Sequence, residues 1–212
     1  MLISKFINYI QKYEPAFVPS LILDIGSRDL DQSEEFDAIW RGCEIAAFEP
    51  TPNQYNICED KSRRYTNIKV HNLALSNYVG KVDFWVTDGN IGCSSILEPI
   101  HVPFGSQDKS KIEVDATTVN AFMSENPQLD TTSLVVWMDV QGHELAVLEG
   151  FEQIIKNVKY IHLEAAQVAY YKGHSSKESI EKFLTDNGFE FEFYAADGHP
   201  FGEGDIMARK IN

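Results

Sequence analysis

The chain has 212 residues, of which 43% are hydrophobic, and its formal net charge is -14 at pH 7. This length suits one α/β domain with a substantial core. The negative charge argues against nucleic acid or an anionic membrane as the main partner, because phosphate binding requires a basic patch. The three cysteines are odd in number and lack zinc-ligand spacing, which favours a reducing, cytoplasmic location.

The first 19 residues are expected to add one helix to the domain. Apolar side chains at Ile3, Phe6 and Ile10 recur at helical spacing, which is unlike the continuous apolar core of a signal peptide. We expect this helix to pack on or cap a single domain that spans residues 1–212. No apolar run approaches the roughly 18 residues of a membrane span, and the oligomeric state is left open.

The following elements alternate between strand and helix. Periodicity predicts strands at 21–25, 45–48 and 68–71, with helices near 33–40 and 53–61. A further strand is expected where Val82, Phe84 and Val86 alternate with other residues. Residues 88–110 contain several glycines and prolines and are interpreted as a long loop, a kind of segment that is usually functional or disordered.

The second half of the chain continues the pattern and closes it with a strand pair. The expected elements are a strand at 111–116, a helix at 118–124, a strand at 134–138, a helix at 143–157, a strand at 160–163, a helix capped by Ser175 and ended by Asn187-Gly188, and strands at 189–193 and 205–209. This order predicts an α/β fold with a doubly wound, mostly parallel seven-stranded sheet and an antiparallel edge.

The most informative segment is the apolar run Leu134–Met138 with the polar residues that follow it. A continuous apolar run is typical of a strand covered on both faces. Asp139, Gln141, His143 and Glu144 then lie where the strand ends and a helix begins. Open α/β sheets bind ligands just beyond the carboxyl ends of their strands, so these residues are candidates for a functional site.

Two earlier strands end in a similar way. Asp24 and Gly26 end the first strand, and Glu49 ends the second, 25 positions after Asp24. In βαβ nucleotide sites, an acid at the end of the second strand accepts hydrogen bonds from ribose hydroxyls. The first turn has only Gly26 and lacks the G-x-G-x-x-G pattern of pyrophosphate sites. This favours a nucleoside without phosphates, such as adenosine carried on a sulfonium, over the alternative of a nicotinamide-dependent oxidoreductase.

Five segments occur together in a recognisable order: Asp24–Asp29, Ala47–Pro52, Asn72–Ser76, Cys93–Ser95 and Trp137–Gly150. With these segments the chain resembles the FkbM family of S-adenosylmethionine-dependent methyltransferases, from about Leu21 to the C-terminus. The resemblance implies a Rossmann-like methyltransferase fold with S-adenosylmethionine as cofactor. It departs at Leu30 and Asp31, where a further glycine is usual, and at His143, where a small residue is commoner.

The strand ends and the resemblance together define the candidate cofactor contacts. These are Asp24, Gly26, Ser27, Glu49, Asn72, Ala74, Ser94, Ser95, Asp139, Gln141 and Glu144. Asp24 and Gly26 are assigned to the methionine end, Glu49 to the ribose, and the segment from Asn72 to the adenine. Structural explanations also exist, since Asp24 could cap a helix and Glu144 could serve only as a favourable helix start.

The resemblance implies methyl transfer to a hydroxyl of a small molecule or glycan, and such a hydroxyl must lose its proton. The candidate catalytic residues are Asp139, His143 and Glu164, with a divalent metal left open and not predicted. A helix N-terminus disfavours an imidazolium, which would suit His143 as a neutral base. A competing hypothesis is a non-catalytic, partner-binding domain with the same fold, in which the cavity beside Asp139 would be plugged.

Overall fold

The computed structural model describes residues 2–87, 89–100, 109–196 and 203–211. The strands in these ranges are β1 (Leu21–Ile25), β2 (Glu44–Phe48), β3 (Ile68–His71), β4 (Ala74–Leu75), β5 (Gly80–Thr87), β6 (Lys109–Thr117), β7 (Leu134–Met138), β8 (Val158–Ala165), β9 (Phe189–Ala195) and β10 (Gly204–Lys210). The helices are α1 (Leu2–Tyr13), α2 (Asp31–Ile39), α3 (Pro52–Ser62), α4 (Val119–Glu125), α5 (Glu144–Glu149) and α6 (Lys177–Asp186), with 3-10 turns at Ile91–Cys93 and Glu152–Asn157.

Seven strands form the main sheet in the order β3-β2-β1-β7-β8-β10-β9. In this sheet the neighbouring pairs β3–β2, β2–β1, β1–β7 and β7–β8 are parallel. Strand β10 is antiparallel to both β8 and β9. All five residues of β1 and all five of β7 are buried, because layers cover both faces of the sheet. The predicted fold class is confirmed, with the β9–β10 pair forming the antiparallel edge.

Helix α1 covers one face of this sheet. Phe6 and Ile10 are fully buried on its inner side. The Phe6 ring lies 5.9 Å from the Trp137 ring and 5.7 Å from the His162 ring. The apolar positions that predicted the helix therefore make its packing surface. No helix in the described ranges is both long enough and apolar enough to cross a membrane.

A second sheet of three strands, in the order β4-β6-β5, was not predicted as a separate unit. Strand β4 pairs in parallel with β6, and β5 pairs with β6 in antiparallel fashion. Part of the predicted long loop is ordered by bridges between Trp85 and Ser95 and between Pro99 and Tyr171. Residue 88 and residues 101–108 of that loop lie outside the described residues. The small sheet places Ala74 and Phe84 beside the strand ends of the main sheet.

Two predicted helices differ from the structure, either in more than a shift of one or two residues at their ends or in their capping residue. The helix expected over 143–157 divides into α5 and a 3-10 turn, and Glu152, the first residue of that turn, has a left-handed φ of 45°. The N-cap of α6 is Ser176, whose side chain accepts from the Ser179 backbone N–H. Ser175 accepts instead from the Leu145 backbone N–H, so it ties the segment before α6 to α5.

Candidate active site

A cleft of about 800 Å³ of empty space, including its open mouth, lies beyond the carboxyl ends of β1, β2 and β7. Seven of the candidate residues from the sequence line it: Gly26, Glu49, Ala74, Ser94, Asp139, Gln141 and His143. The cavity beside Asp139 is open, which favours an enzyme. A non-catalytic, partner-binding domain was expected to have this cavity plugged.

The turn after β1 brings two strand ends into contact. Gly26 has a φ of 85°, and its backbone N–H donates to the Phe48 carbonyl at 3.1 Å. A Cβ built at this position would lie 1.9 Å from the Asp139 carbonyl oxygen. Glycine is therefore required both by its backbone conformation and by the approach of the β7 end.

Glu49 is 6% exposed, faces the cleft and has one hydrogen-bond acceptor position free. Its Oε1 accepts from the Thr51 N–H and hydroxyl, at 2.8 and 2.6 Å, and its Oε2 accepts from the Arg28 N–H at 3.1 Å. A carboxylate offers about four acceptor positions, so Oε2 retains one. Burial raises the pKa of Glu49, and these three donors oppose that rise.

Asp24 and Ser27 lie beneath the turn and do not line the cleft. Asp24 Oδ2 accepts from the hydroxyls of Ser27 and Ser33, at 2.9 and 2.5 Å, and burial raises the pKa of Asp24 to about 6. No described residue donates a hydrogen bond to its buried Oδ1. These hydrogen bonds from Ser27 and Ser33 to Asp24 stabilise the conformation of the turn after β1.

Residues of two later segments divide in the same way between the cleft wall and its support. Ala74 lines the cleft, whereas the Asn72 amide donates to the carbonyls of Glu49 and Pro50, both at 2.9 Å. Ser94 lines the cleft, whereas Ser95 is buried behind it and donates to the Gln141 carbonyl at 2.9 Å. Asn72 and Ser95 therefore position the loops that carry Glu49 and Gln141.

Gln141 joins the two acids at the ends of β7 and β8. Its Nε2 donates to Asp139 Oδ1 at 2.6 Å and to Glu164 Oε2 at 3.3 Å. Its Oε1 accepts from the Tyr171 hydroxyl at 2.9 Å. The convergence of Asp139 and Glu164 expected from neighbouring strand ends is therefore observed.

Electrostatics differ between the two acids. Burial raises the pKa of Asp139, and the Gln141 bond opposes that rise. The negative charge of Asp139 is the main cause that raises the pKa of Glu164 well above its usual value, with burial as the second cause. Two such close carboxylates favour one ionised and one protonated group.

His143 and Glu144 begin α5 but point to different cavities. His143 lines the cleft, its Nε2 lies 3.0 Å from the Ser76 hydroxyl, and burial lowers its pKa to about 4. Glu144 is 2% exposed, accepts from the Gly142 N–H at 3.0 Å, and has a pKa raised by burial to about 7. His143 is therefore a neutral side chain at pH 7, within the cleft.

A smaller second cavity, with about 250 Å³ of empty space, shares Gln141 with the cleft. Its other lining residues include three acids and two tyrosines: Glu144, Glu164, Glu203, Tyr170 and Tyr171. Asp139 thus faces the cleft while Glu164 faces the second cavity. Over the described ranges, no group of three or more His, Cys, Asp or Glu side chains is arranged to hold a metal ion.

Three residues with polar side chains that line the cleft were missed by the sequence analysis: Arg28, Gln32 and Thr51. Arg28 and Thr51 hold Glu49 through backbone N–H groups, which any residue except proline would supply, and Thr51 also donates its hydroxyl. Their positions next to the two recognised acids, Asp24 and Glu49, were the available signal. Arg28 also has a positive φ of 52°, close to the 53° of Gln141.

Residues 24–191 match the family described as the FkbM methyltransferase domain, over more than half of the chain. The chain belongs to the FkbM methyltransferase family. A similar curated protein is 2-O-methyltransferase NoeI of Sinorhizobium fredii (strain NBRC 101917 / NGR234), which is 25% identical over 97% of this chain and 83% of its own length.

Solved structures share the fold of this FkbM-family chain. Magnesium protoporphyrin IX methyltransferase from Synechocystis PCC 6803, solved with bound SAM, has a TM-score of 0.54 at 10% identity, covering 99% of this chain and 78% of that chain. A putative rRNA-methylase from Clostridium thermocellum has a TM-score of 0.53 at 9% identity, covering 100% of this chain and 96% of that chain. These likenesses confirm a Rossmann-like methyltransferase fold.

Proposed function

We propose that this FkbM-family protein is an S-adenosylmethionine-dependent O-methyltransferase, with a small molecule or a sugar as acceptor. The observation that carries the proposal is the open cleft in which Gly26, Glu49 and Asp139 converge from three strand ends. The family supports methyl transfer. The name of the similar 2-O-methyltransferase supports a hydroxyl acceptor.

The cleft fits a cofactor that has a ribose and lacks phosphates. Glu49 Oε2 has an acceptor position left for a ribose hydroxyl of the cofactor. Ala74 and Phe84 supply apolar surface for the cofactor's adenine ring. The carboxylate of Asp139 suits the positive sulfonium of the cofactor, because among the described residues its Oδ1 accepts only from Gln141. The turn at Gly26 has no further glycine for close approach of a pyrophosphate, and this favours S-adenosylmethionine over a nicotinamide dinucleotide.

The bound cofactor would supply a methyl group activated on a sulfonium. In the transfer, the acceptor oxygen would bond to that carbon as the carbon–sulfur bond breaks with its electron pair left on sulfur, and a group of the protein would accept the hydroxyl proton. His143 in the cleft is neutral near pH 7, and Glu164 lies across Gln141. Both remain candidates for the base, with Asp139 as an anion that positions the positive charge.

Calorimetry with S-adenosylmethionine, S-adenosylhomocysteine and NADH tests the cofactor. We expect both sulfur compounds to bind and NADH to bind at least about tenfold more weakly, because a pyrophosphate requires backbone donors that this turn lacks. Tighter binding of NADH would support the oxidoreductase, and no binding of the three would support a non-catalytic domain. Transfer of labelled methyl groups to a panel of sugars and hydroxylated small molecules then identifies the acceptor, with matched amines as the control for O-directed transfer.

A further inference from the structure

Two buried carboxylates share one amide nitrogen at the wall between the two cavities. Asp139 lines the cleft and Glu164 lines the second cavity, and both accept from Gln141 Nε2. We propose that this bridge makes Glu164 a charge-gated base, which releases its proton while a positive charge occupies the cleft beside Asp139. The proposal rests on the proposed function, in which the cofactor's sulfonium provides that charge.

The geometry assigns the negative charge to Asp139 and the proton to Glu164. The amide lies 2.6 Å from the Asp139 oxygen and 3.3 Å from the Glu164 oxygen, so it stabilises an Asp139 anion more strongly. A second negative charge so close would be costly in a buried site. The pKa of Glu164 is raised in agreement with this assignment, chiefly by the charge of Asp139.

Tyr171 fixes the orientation of the bridging amide. Its hydroxyl lies 2.9 Å from Gln141 Oε1, so the oxygen side of the amide faces the tyrosine and the nitrogen side faces the two acids. Both amide protons then have a carboxylate acceptor. The bridge is thus a fixed link between the charge states of Asp139 and Glu164.

The surrounding charges keep Glu164 protonated when the cleft holds no cation. Besides Asp139, Glu164 faces Glu203 and Asp205 near and on β10 and Glu144 on α5, and each of these raises its pKa. Asp139 faces the positive side chain of Arg28 and faces His162, which both lower its pKa. These two side chains act on Asp139, and a further positive charge in the cleft would be needed to lower the pKa of Glu164.

The consequence is a proton cycle that follows the cofactor's charge. Glu164 would lose its proton to solvent when the cation binds and could then accept the hydroxyl proton of an acceptor that reaches the second cavity, which Glu164 lines. As the oxygen–carbon bond forms and the carbon–sulfur bond breaks, the positive charge of the sulfonium would be lost. Glu164 then retains the proton because its pKa has returned to the raised value.

Proton release on ligand binding tests this cycle without an acceptor. The titrations would use S-adenosylmethionine and S-adenosylhomocysteine, in buffers of different ionisation enthalpy, from about pH 6 to 9. We expect the charged ligand to release up to about one proton more than its neutral-sulfur product at some pH in this range. Glu164→Gln should remove that excess, since glutamine keeps an acceptor for Gln141 but has no proton to release.

Glu44→Gln is the control, because Glu44 is an exposed acid at the start of β2 and lines neither cavity. It should retain the excess proton release. Equal release for the two ligands in the parent protein, survival of the excess in Glu164→Gln, or its loss in Glu44→Gln would overturn the proposal. If the parent protein binds neither ligand, the proposed function is wrong instead.

Infrared difference spectra of the parent protein give a second measurement that does not depend on a folded variant. A carbonyl band of a protonated carboxyl group should disappear when S-adenosylmethionine binds and persist when S-adenosylhomocysteine binds. A band that persists with both ligands would contradict the charge-gated base. Where Glu164→Gln folds, its spectrum should lack the band that responds to the cation.

Discussion

Replacing Glu49 with alanine removes the carboxylate assigned to the cofactor's ribose. In the parent protein this side chain accepts from the Arg28 N–H, the Thr51 N–H and the Thr51 hydroxyl, and it has one acceptor position left on Oε2. The variant loses the bond from the ligand's hydroxyl to a charged acceptor. It also leaves the two backbone donors to water that enters the vacated space.

The expected loss of affinity is about 1–3 kcal/mol, which corresponds to about 5- to 150-fold. The upper part of this range applies because the lost acceptor is charged and 6% exposed, so water replaces it poorly. The assay is calorimetric titration with S-adenosylhomocysteine, the stable product. Thermal unfolding measured on the same samples separates lost binding from lost folding.

Glu44→Ala is the matched control, since Glu44 is an exposed acid at the other end of the same strand. It should bind with the parent affinity. If Glu49→Ala is folded and also binds with the parent affinity, the ribose assignment is wrong. An equal loss in both variants would instead indicate a general effect of charge on the protein, whose formal net charge is already -14.

Three further perturbations address the turn, the N-terminal helix and the histidine. Gly26→Ala should abolish cofactor binding and destabilise the fold by at least about 1–3 kcal/mol, as read by thermal unfolding, because its Cβ would lie 1.9 Å from the Asp139 carbonyl oxygen. Phe6→Ala should cost about 3–5 kcal/mol in urea unfolding, since the ring is fully buried against Trp137. The pKa of His143 is lowered to about 4, so the imidazole is neutral above it, and His143→Ala should leave the shape of the rate profile unchanged from about pH 6 to 8. A profile that changes in this range would contradict the neutral state of His143.

The central strands were predictable because burial on both faces leaves a clear record in the sequence. Strands Leu21–Ile25 and Leu134–Met138 have the bounds that their apolar runs predict. The small second sheet was missed because its pairing joins β4 to residues more than one element away along the chain. No local periodicity records such a contact.

The candidate site was predictable where side chains mark strand ends. Glu49 and Asp139 both line the cleft, as their positions after apolar runs indicate. Thr51 was missed because part of its contribution comes through its backbone N–H, which leaves no signature in the residue type. Asn72 was assigned to the adenine, but its amide binds the carbonyls of Glu49 and Pro50, a tertiary contact that strand periodicity does not encode.

Backbone strain gives a separate reason to place function at this edge of the sheet. Among the described residues, the non-glycine residues with positive φ are Arg28, Leu30, Gln141 and Glu152, and the first three follow β1 or β7. Such conformations each cost about 1–3 kcal/mol and persist only where the surrounding structure imposes them. Here Arg28 presents its N–H to Glu49, and Gln141 presents its amide to Asp139 and Glu164. Two of these four positions, Arg28 and Gln141, therefore orient the acids at the strand ends. This is expected if the arrangement of those acids matters more than the stability of the fold.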